Sequence, residues 1–379
     1  MQINRRSFLE SVGLTAAGMA LSPGAADAAT DSGWRVFELT TRVEILTPTG
    51  ATRVWLPTAS LGRTNFQRTL SNEFKAEGGT AKLVRQKADG LGIVAAEFPA
   101  DVKPVVTLTS RVTTKDYAVD LRTRGKASKG DRAELDYFLR PTKLIPTDGI
   151  VRAKADEITK GANTDADKAR AIYEWIVDNT FRNPKTRGCG TGNIRFMLES
   201  GDLGGKCADL NALYVGLARA AGLPARDFYG IRVAKSGLGY KSLGTASEVI
   251  TKAQHCRAEV YLSAYGWVPV DPADVRKVVL EEPPGNRALT DPMVTAARAR
   301  LFGSWEMNWI AFNSAHDVAL PGSSKAPEGF FMYPHAETAD GRLDSLDPDA
   351  FRYEIKSREI TRGLWGAKKC RVRKPSFNV

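Results

Sequence analysis

Residues 201–233 read GDLGGKCADLNALYVGLARAAGLPARDFYGIRV, and the spacing inside this stretch decides the fold. After Cys207 the apolar residues Leu210, Leu213, Tyr214, Leu217, Ala218 and Ala221 fall at i, i+3, i+4, i+7, i+8 and i+11, the period of a helix with one buried face. Gly222 with Pro224 ends it, and residues 227–234 then read as a strand. Cys207 therefore opens an amphipathic helix. The first N–H groups of a helix lack intrahelical acceptors and carry partial positive charge, which with a nearby histidine lowers a thiol pKa from about 8.5 to roughly 3.5–7.5. The glycines of the preceding GDLGGK allow close backbone approach, and Lys206 adds positive potential.

Further on, residues 254–274 read QHCRAEVYLSAYGWVPVDPAD. Residues 258–262 and 267–270 have strand character, and the short SAYG loop joins them into a hairpin. His255 stands at the start of the first strand and Asp271 at the end of the second, so their side chains can lie near one another. His255 is the candidate base for the Cys207 thiol. Asp271 is the candidate for fixing its tautomer and orientation. Each residue alone has a plainer reading. A lone Cys is more often a small buried hydrophobe, and an Asp before Pro commonly marks a turn. The ordered set of three favours catalysis, with His316 and His335 the rival histidines.

Four cysteines in 379 residues, with no C-x-x-C pair, exclude a disulfide framework, a zinc site and a dithiol redox motif. Cys256, next to His255 on a strand, is expected to point to the opposite face. Cys189 with Cys256 is the pair to test for a disulfide, against the plainer reading that all are reduced. Asn193, in GCGTGN, is a weak candidate for a second oxyanion donor beside the Cys207 backbone N–H, and more simply a turn residue.

Residues 34–121 alternate in short runs (34–45, 52–56, 92–98, 105–113) separated by TPTG, EGG and ADG, which predicts an N-terminal β-sandwich. The basic, Gly/Ser-containing stretch 122–131 marks a boundary. Beyond it, Asn163 and Thr164 with Asp167 cap a helix whose Ala169, Ile172, Tyr173, Ile176 and Val177 are periodic to about Thr180. Trp305, Trp309 and Phe312, at i, i+4 and i+7, fit the core face of a helix more simply than an acceptor cleft. Phe351, Tyr353 and Ile355 alternate with charged neighbours, which predicts tail strands returning to one of two sheets. The domain reading is a leader at 1–28, a sandwich at 34–121, a catalytic region at 132–320 and a β extension with a basic tail at 321–379.

The balance of 42% hydrophobic and 26% charged residues excludes collagen-like, coiled-coil and wholly disordered chains. Residues 4–9, NRRSFL, then a weakly apolar run at 12–21 and AADAAT, resemble a twin-arginine export signal with cleavage near Ala28. A membrane span needs about 20 apolar residues, more than this run offers, so an uncleaved anchor is the second reading. The expected location is the periplasm. The net charge of +11 includes one basic cluster at Lys368, Lys369, Arg371, Arg373 and Lys374, read as a solvated tail. The compartment and the lack of basic stretches interleaved with aromatics argue against nucleic acid as a partner.

The stretches 201–233 and 254–274 together resemble the core of the transglutaminase-like superfamily, specifically over about 164–274 and more weakly over flanks such as 301–320, LFGSWEMNWIAFNSAHDVAL. The resemblance implies an α+β fold, a papain-like core with an N-terminal β-sandwich. Its nucleophile maps onto Cys207, its base onto His255 and its orienting acid onto Asp271. Two positions depart from the common pattern: Arg257 stands where many members have Trp, and Ala273 where many have Thr. Arg257 removes an aromatic wall beside His255 and offers a cation to an acidic substrate group. The expected activity is acyl transfer through a thioester on a peptide, protein or peptidoglycan-derived amide, by hydrolysis or transamidation. The alternative is an inactive binding module. No cofactor or metal is expected, and no EF-hand-like loop supports the calcium dependence of some relatives.

Overall fold

The computed structural model describes residues 33–360 apart from 63, 124, 126–129 and 348–350. The leader and the basic cluster at 368–374 lie outside the described residues. At the centre is the Cys207–Ala220 helix, every residue of which is buried. One side packs on a four-stranded antiparallel sheet in the order Gly266–Val270, Gln254–Leu262, Ala225–Arg232, Trp309–Asn313. The other side is covered by the helices Gly149–Ile158 and Asp165–Asn179. Periodicity predicted a single buried face; the covering helices bury the polar side as well. That burial is tolerated because most of its polar groups find partners, Asn211 Oδ1 being an exception. Arg219 Nε donates to the Ala225 carbonyl at 2.8 Å, and Asn211 Nδ2 to the Cys256 carbonyl at 2.7 Å. Close packing requires Gly216, where a Cβ would meet Ile194 Cδ1 at 2.1 Å.

The Asp165–Asn179 helix begins at a capping box, with Thr164 Oγ1 accepting from Asp167 N and the Asp167 carboxylate accepting from Thr164 N. Ala169, Ile172, Tyr173, Ile176 and Val177 form its buried face, as the spacing predicted.

The helical reading of Trp305, Trp309 and Phe312 is corrected. Ser304–Trp305 and Trp309–Asn313 are strands, so Trp309 and Ala311 join one apolar cluster while Ile310 and Phe312 join another. An aromatic and β-branched run fits a pleated sheet as well as a helical period. The neighbouring strand position must be glycine, since a Cβ on Gly230 would lie 2.1 Å from the Ile310 carbonyl oxygen.

The N-terminal strands form two antiparallel sheets that share the apolar residues Val43, Ile45, Leu56, Val94, Phe98 and Leu108 between them. The tail strands were expected in one sheet and occur in both. Phe351–Glu359 pairs with Arg35–Ile45, and His335–Thr338 pairs with Thr52–Pro57. Ile250 N donates to the Ile355 carbonyl at 2.8 Å, which ties the tail strand to the segment preceding His255. The described residues from Trp34 onward form one compact unit.

Leu213 is fully buried in the central helix. Leu213→Ala should lower the unfolding free energy by about 2–5 kcal/mol in denaturant titration. Phe196→Ala, at a side chain 64% exposed, should change it by less than about 0.5 kcal/mol.

Candidate active site

Cys207 is the first residue of its helix, and the chain around it is locked by Asp209. The Asp209 carboxylate accepts from Lys206 N at 3.0 Å and from Thr191 N and Gly192 N at 2.9 Å each. These bonds pin the GCGTG loop to the helix start, while Ala208 N donates to the Cys189 carbonyl at 2.9 Å. Gly190, with φ 95°, sits so close that a Cβ would overlap the carboxylate. The N–H of Cys207 has no backbone acceptor among the described residues and remains available as an oxyanion donor. Asn193 is the N-cap of the Ile194–Ser200 helix, its side-chain oxygen accepting from Phe196 N at 3.2 Å, and it does not line the Cys207 cleft.

The hairpin brings His255 Nε2 to 2.8 Å from Asp271 Oδ2, with both side chains buried. This leaves Nδ1 for the thiol of Cys207, which lines the same cleft of about 320 Å³. Asp271 is itself held as the N-cap of the Pro272–Glu281 helix. Its Oδ1 accepts from Asp274 N at 3.1 Å and from Asn211 Nδ2 at 3.3 Å. Cys207, His255 and Asp271 thus come together.

Three participants escaped the sequence reading. Asp274 Oδ1 lies 3.3 Å from His255 Nε2, and Arg232 Nη2 donates to both Asp274 oxygens at 2.5 and 2.7 Å. Asn211, one helical turn beyond Cys207, binds Asp271. The Asp-x-x-Asp spacing of 271 and 274, and the i+4 position of Asn211, were the signals for two of them; Arg232 gave none.

Arg257 does not reach substrate. It is buried behind Asp271, with its Nε 3.5 Å from Asp271 Oδ2, its Nη1 donating to the Glu306 carbonyl at 2.8 Å, and its guanidinium over Trp309. It serves as an internal counter-charge. His316 and His335 are engaged elsewhere, with Asp227 at 2.6 Å and Glu328 at 3.5 Å.

The Cys207 thiol is held well below its ordinary pKa, first by the S–H groups of Cys189 and Cys256, then, against burial, by His255. Burial and Arg232 depress His255, yet Asp274 and Asp271 outweigh them and bring it to about 9. Asp274, despite burial, is kept well below the carboxylate range chiefly by Arg232. The lowered thiol and the raised imidazole both favour a thiolate beside an imidazolium. Cys256 was expected to face away, but its thiol borders Cys207 and Cys189. Cys189, Cys207 and Cys256 are all free thiols. His255, Asp271 and Asp274 bring ligand atoms within 4.8 Å of one another, but Arg232 and Arg257 already occupy the positions beside these carboxylates that a cation would take.

Residues 152–272 match the transglutaminase-like superfamily core. An uncharacterized protein of Haemophilus influenzae is 35% identical over 344 residues, covering 86% of this chain and 92% of the relative. A structure from Cytophaga hutchinsonii, provisionally described as a cysteine protease, is 18% identical with a TM-score of 0.49, covering 86% of this chain and 99% of that one. The periplasmic domain of TgpA from Pseudomonas aeruginosa is 18% identical with a TM-score of 0.31, covering 64% of this chain and 90% of that one. The chain belongs to the transglutaminase-like superfamily.

His255 has its pKa raised from 6.5 to about 9 by folding, so its contribution to stability is complete below pH about 6.5 and is lost as pH rises through about 9. Urea titrations should show the protein losing stability, on the order of 3 kcal/mol, over that interval relative to His255→Gln. Parallel curves for the two proteins would contradict the imidazolium state.

Proposed function

We propose that this protein is an exported, cysteine-dependent acyl-transfer enzyme that opens amide or isopeptide bonds through a thioester. The observation that carries the reading is the Cys207 thiol at a helix N-terminus beside His255, whose far nitrogen is bound to Asp271 at 2.8 Å. In the proposed reaction, the thiolate attacks the carbonyl carbon and the Cys207 N–H receives the developing oxyanion. The His255 imidazolium gives its proton to the leaving amine as the C–N bond breaks, and a thioester remains. Neutral His255 then takes a proton from water or an acceptor amine as that nucleophile attacks, and the thiolate is regenerated. A water-rich compartment and the lack of an amine-binding feature favour hydrolysis. Asp271 and Asp274 orient the ring throughout and stabilise its charge in the states where it is protonated.

Export rests on the twin-arginine pattern of residues 4–9, outside the described residues. Among the described residues no helix is long and apolar enough to cross a membrane. The functional segments are proposed as a leader at 1–28, a sandwich at 34–121, a catalytic region at 132–320 and a β extension at 321–379.

The test is alkylation of the full chain with iodoacetamide, followed by peptide mapping. Cys207 should be modified selectively, with a pH midpoint well below the about 8.5 of an ordinary thiol. His255→Ala should move that midpoint upward and slow modification at pH 6 by at least about tenfold. A Cys207 that stays unmodified in the folded protein would sink the enzyme reading and favour a binding module.

A further inference from the structure

The cleft at Cys207 is lined by Arg182, Lys206, Arg232, Lys252 and Lys277, and no Asp or Glu lines it. A second cleft of about 660 Å³ shares Cys189, Lys206, Lys252 and Gln254 with the first, and it too lacks a carboxylate among its lining residues. Its far wall carries Tyr333, Phe351 and Tyr353. The two clefts therefore form a path past the Cys207 site, cationic along its length and with aromatic residues added in the second cleft, where Arg187 and Arg352 also line the wall.

Several of these cations have partners behind the wall. Arg232 is held by Asp274, while Arg182 and Lys277 share Glu281. Lys206 and Lys252, which border both clefts, make no ion pair among the described residues. Cations without carboxylate partners around a reactive carbonyl site call for an anion on the substrate. An acyl donor must also present an amide to Cys207, and the aromatic arm accommodates chain on the other side.

Resting on the reading of Cys207 as the nucleophile, we propose that the substrate is an acidic peptide whose carboxylate, adjacent to the scissile amide, is bound between Lys206 and Lys252. This assigns to the cleft wall the recognition that sequence had offered to Arg257.

The experiment compares the rates at which iodoacetate, an anion, and iodoacetamide, a neutral reagent of similar size, modify Cys207 in the full chain. Taking the ratio cancels changes in intrinsic thiol reactivity. The ratio should exceed that of free cysteine by about tenfold at low salt. It should fall several-fold in Lys252→Gln, fall further in Lys252→Glu, and collapse at about 0.5 M salt, where screening acts over a few ångströms. A peptide vinyl sulfone with Glu beside the electrophile should label about tenfold faster than its Gln counterpart. A ratio equal to that of free cysteine overturns the proposal. So does a raised ratio that Lys252→Glu leaves unchanged, or equal labelling by the two vinyl sulfones. If neither haloacetyl reagent modifies Cys207, the nucleophile reading fails, and the substrate assignment fails with it.

Discussion

A thiolate and an imidazolium held side by side out of water need counter-charges that are also held out of water. Here the requirement is met by two carboxylates and two guanidiniums: Asp271 and Asp274 against His255, Arg232 against Asp274, and Arg257 against Asp271. Burying such groups carries several kcal/mol of desolvation per ion, and removing one member of a set leaves its partner uncompensated. The network is therefore a functional construction rather than a source of net stability. It sets the protonation states on which the proposed thioester chemistry depends.

The fold can be understood as the frame for that network. The fully buried Cys207 helix fixes the thiol, the antiparallel hairpin fixes His255 and Asp271, and Asn211 links helix to hairpin by bonding both Asp271 and the Cys256 carbonyl. Trp309 closes the set from the edge strand, its indole N–H donating to the His255 carbonyl at 3.0 Å. The sandwich contributes directly as well. Its Phe351–Glu359 strand supplies Phe351 and Tyr353 to the wall of the substrate path and holds the segment before His255 through Ile355.

What was legible in the sequence follows from the range of each interaction. Helix period, capping and hairpin alternation are local, so the Cys207 helix, the Thr164 cap and the His255–Asp271 hairpin could be read directly. The positions of Trp305, Trp309 and Phe312 fit both a helical and a pleated period, and tertiary pairing with residues 225–232 decided for the sheet. Arg232 and the orientation of Arg257 were out of reach because their roles arise from strands that meet only after folding.

The central claim is that a protonated His255 stands beside a thiolate at neutral pH, sustained by Asp271 and Asp274. NMR titration of the His255 ring nitrogens in the full chain tests it most directly. The account predicts an imidazolium at pH 7 with a midpoint near 9. A midpoint at or below the ordinary histidine value of about 6.5 would contradict it.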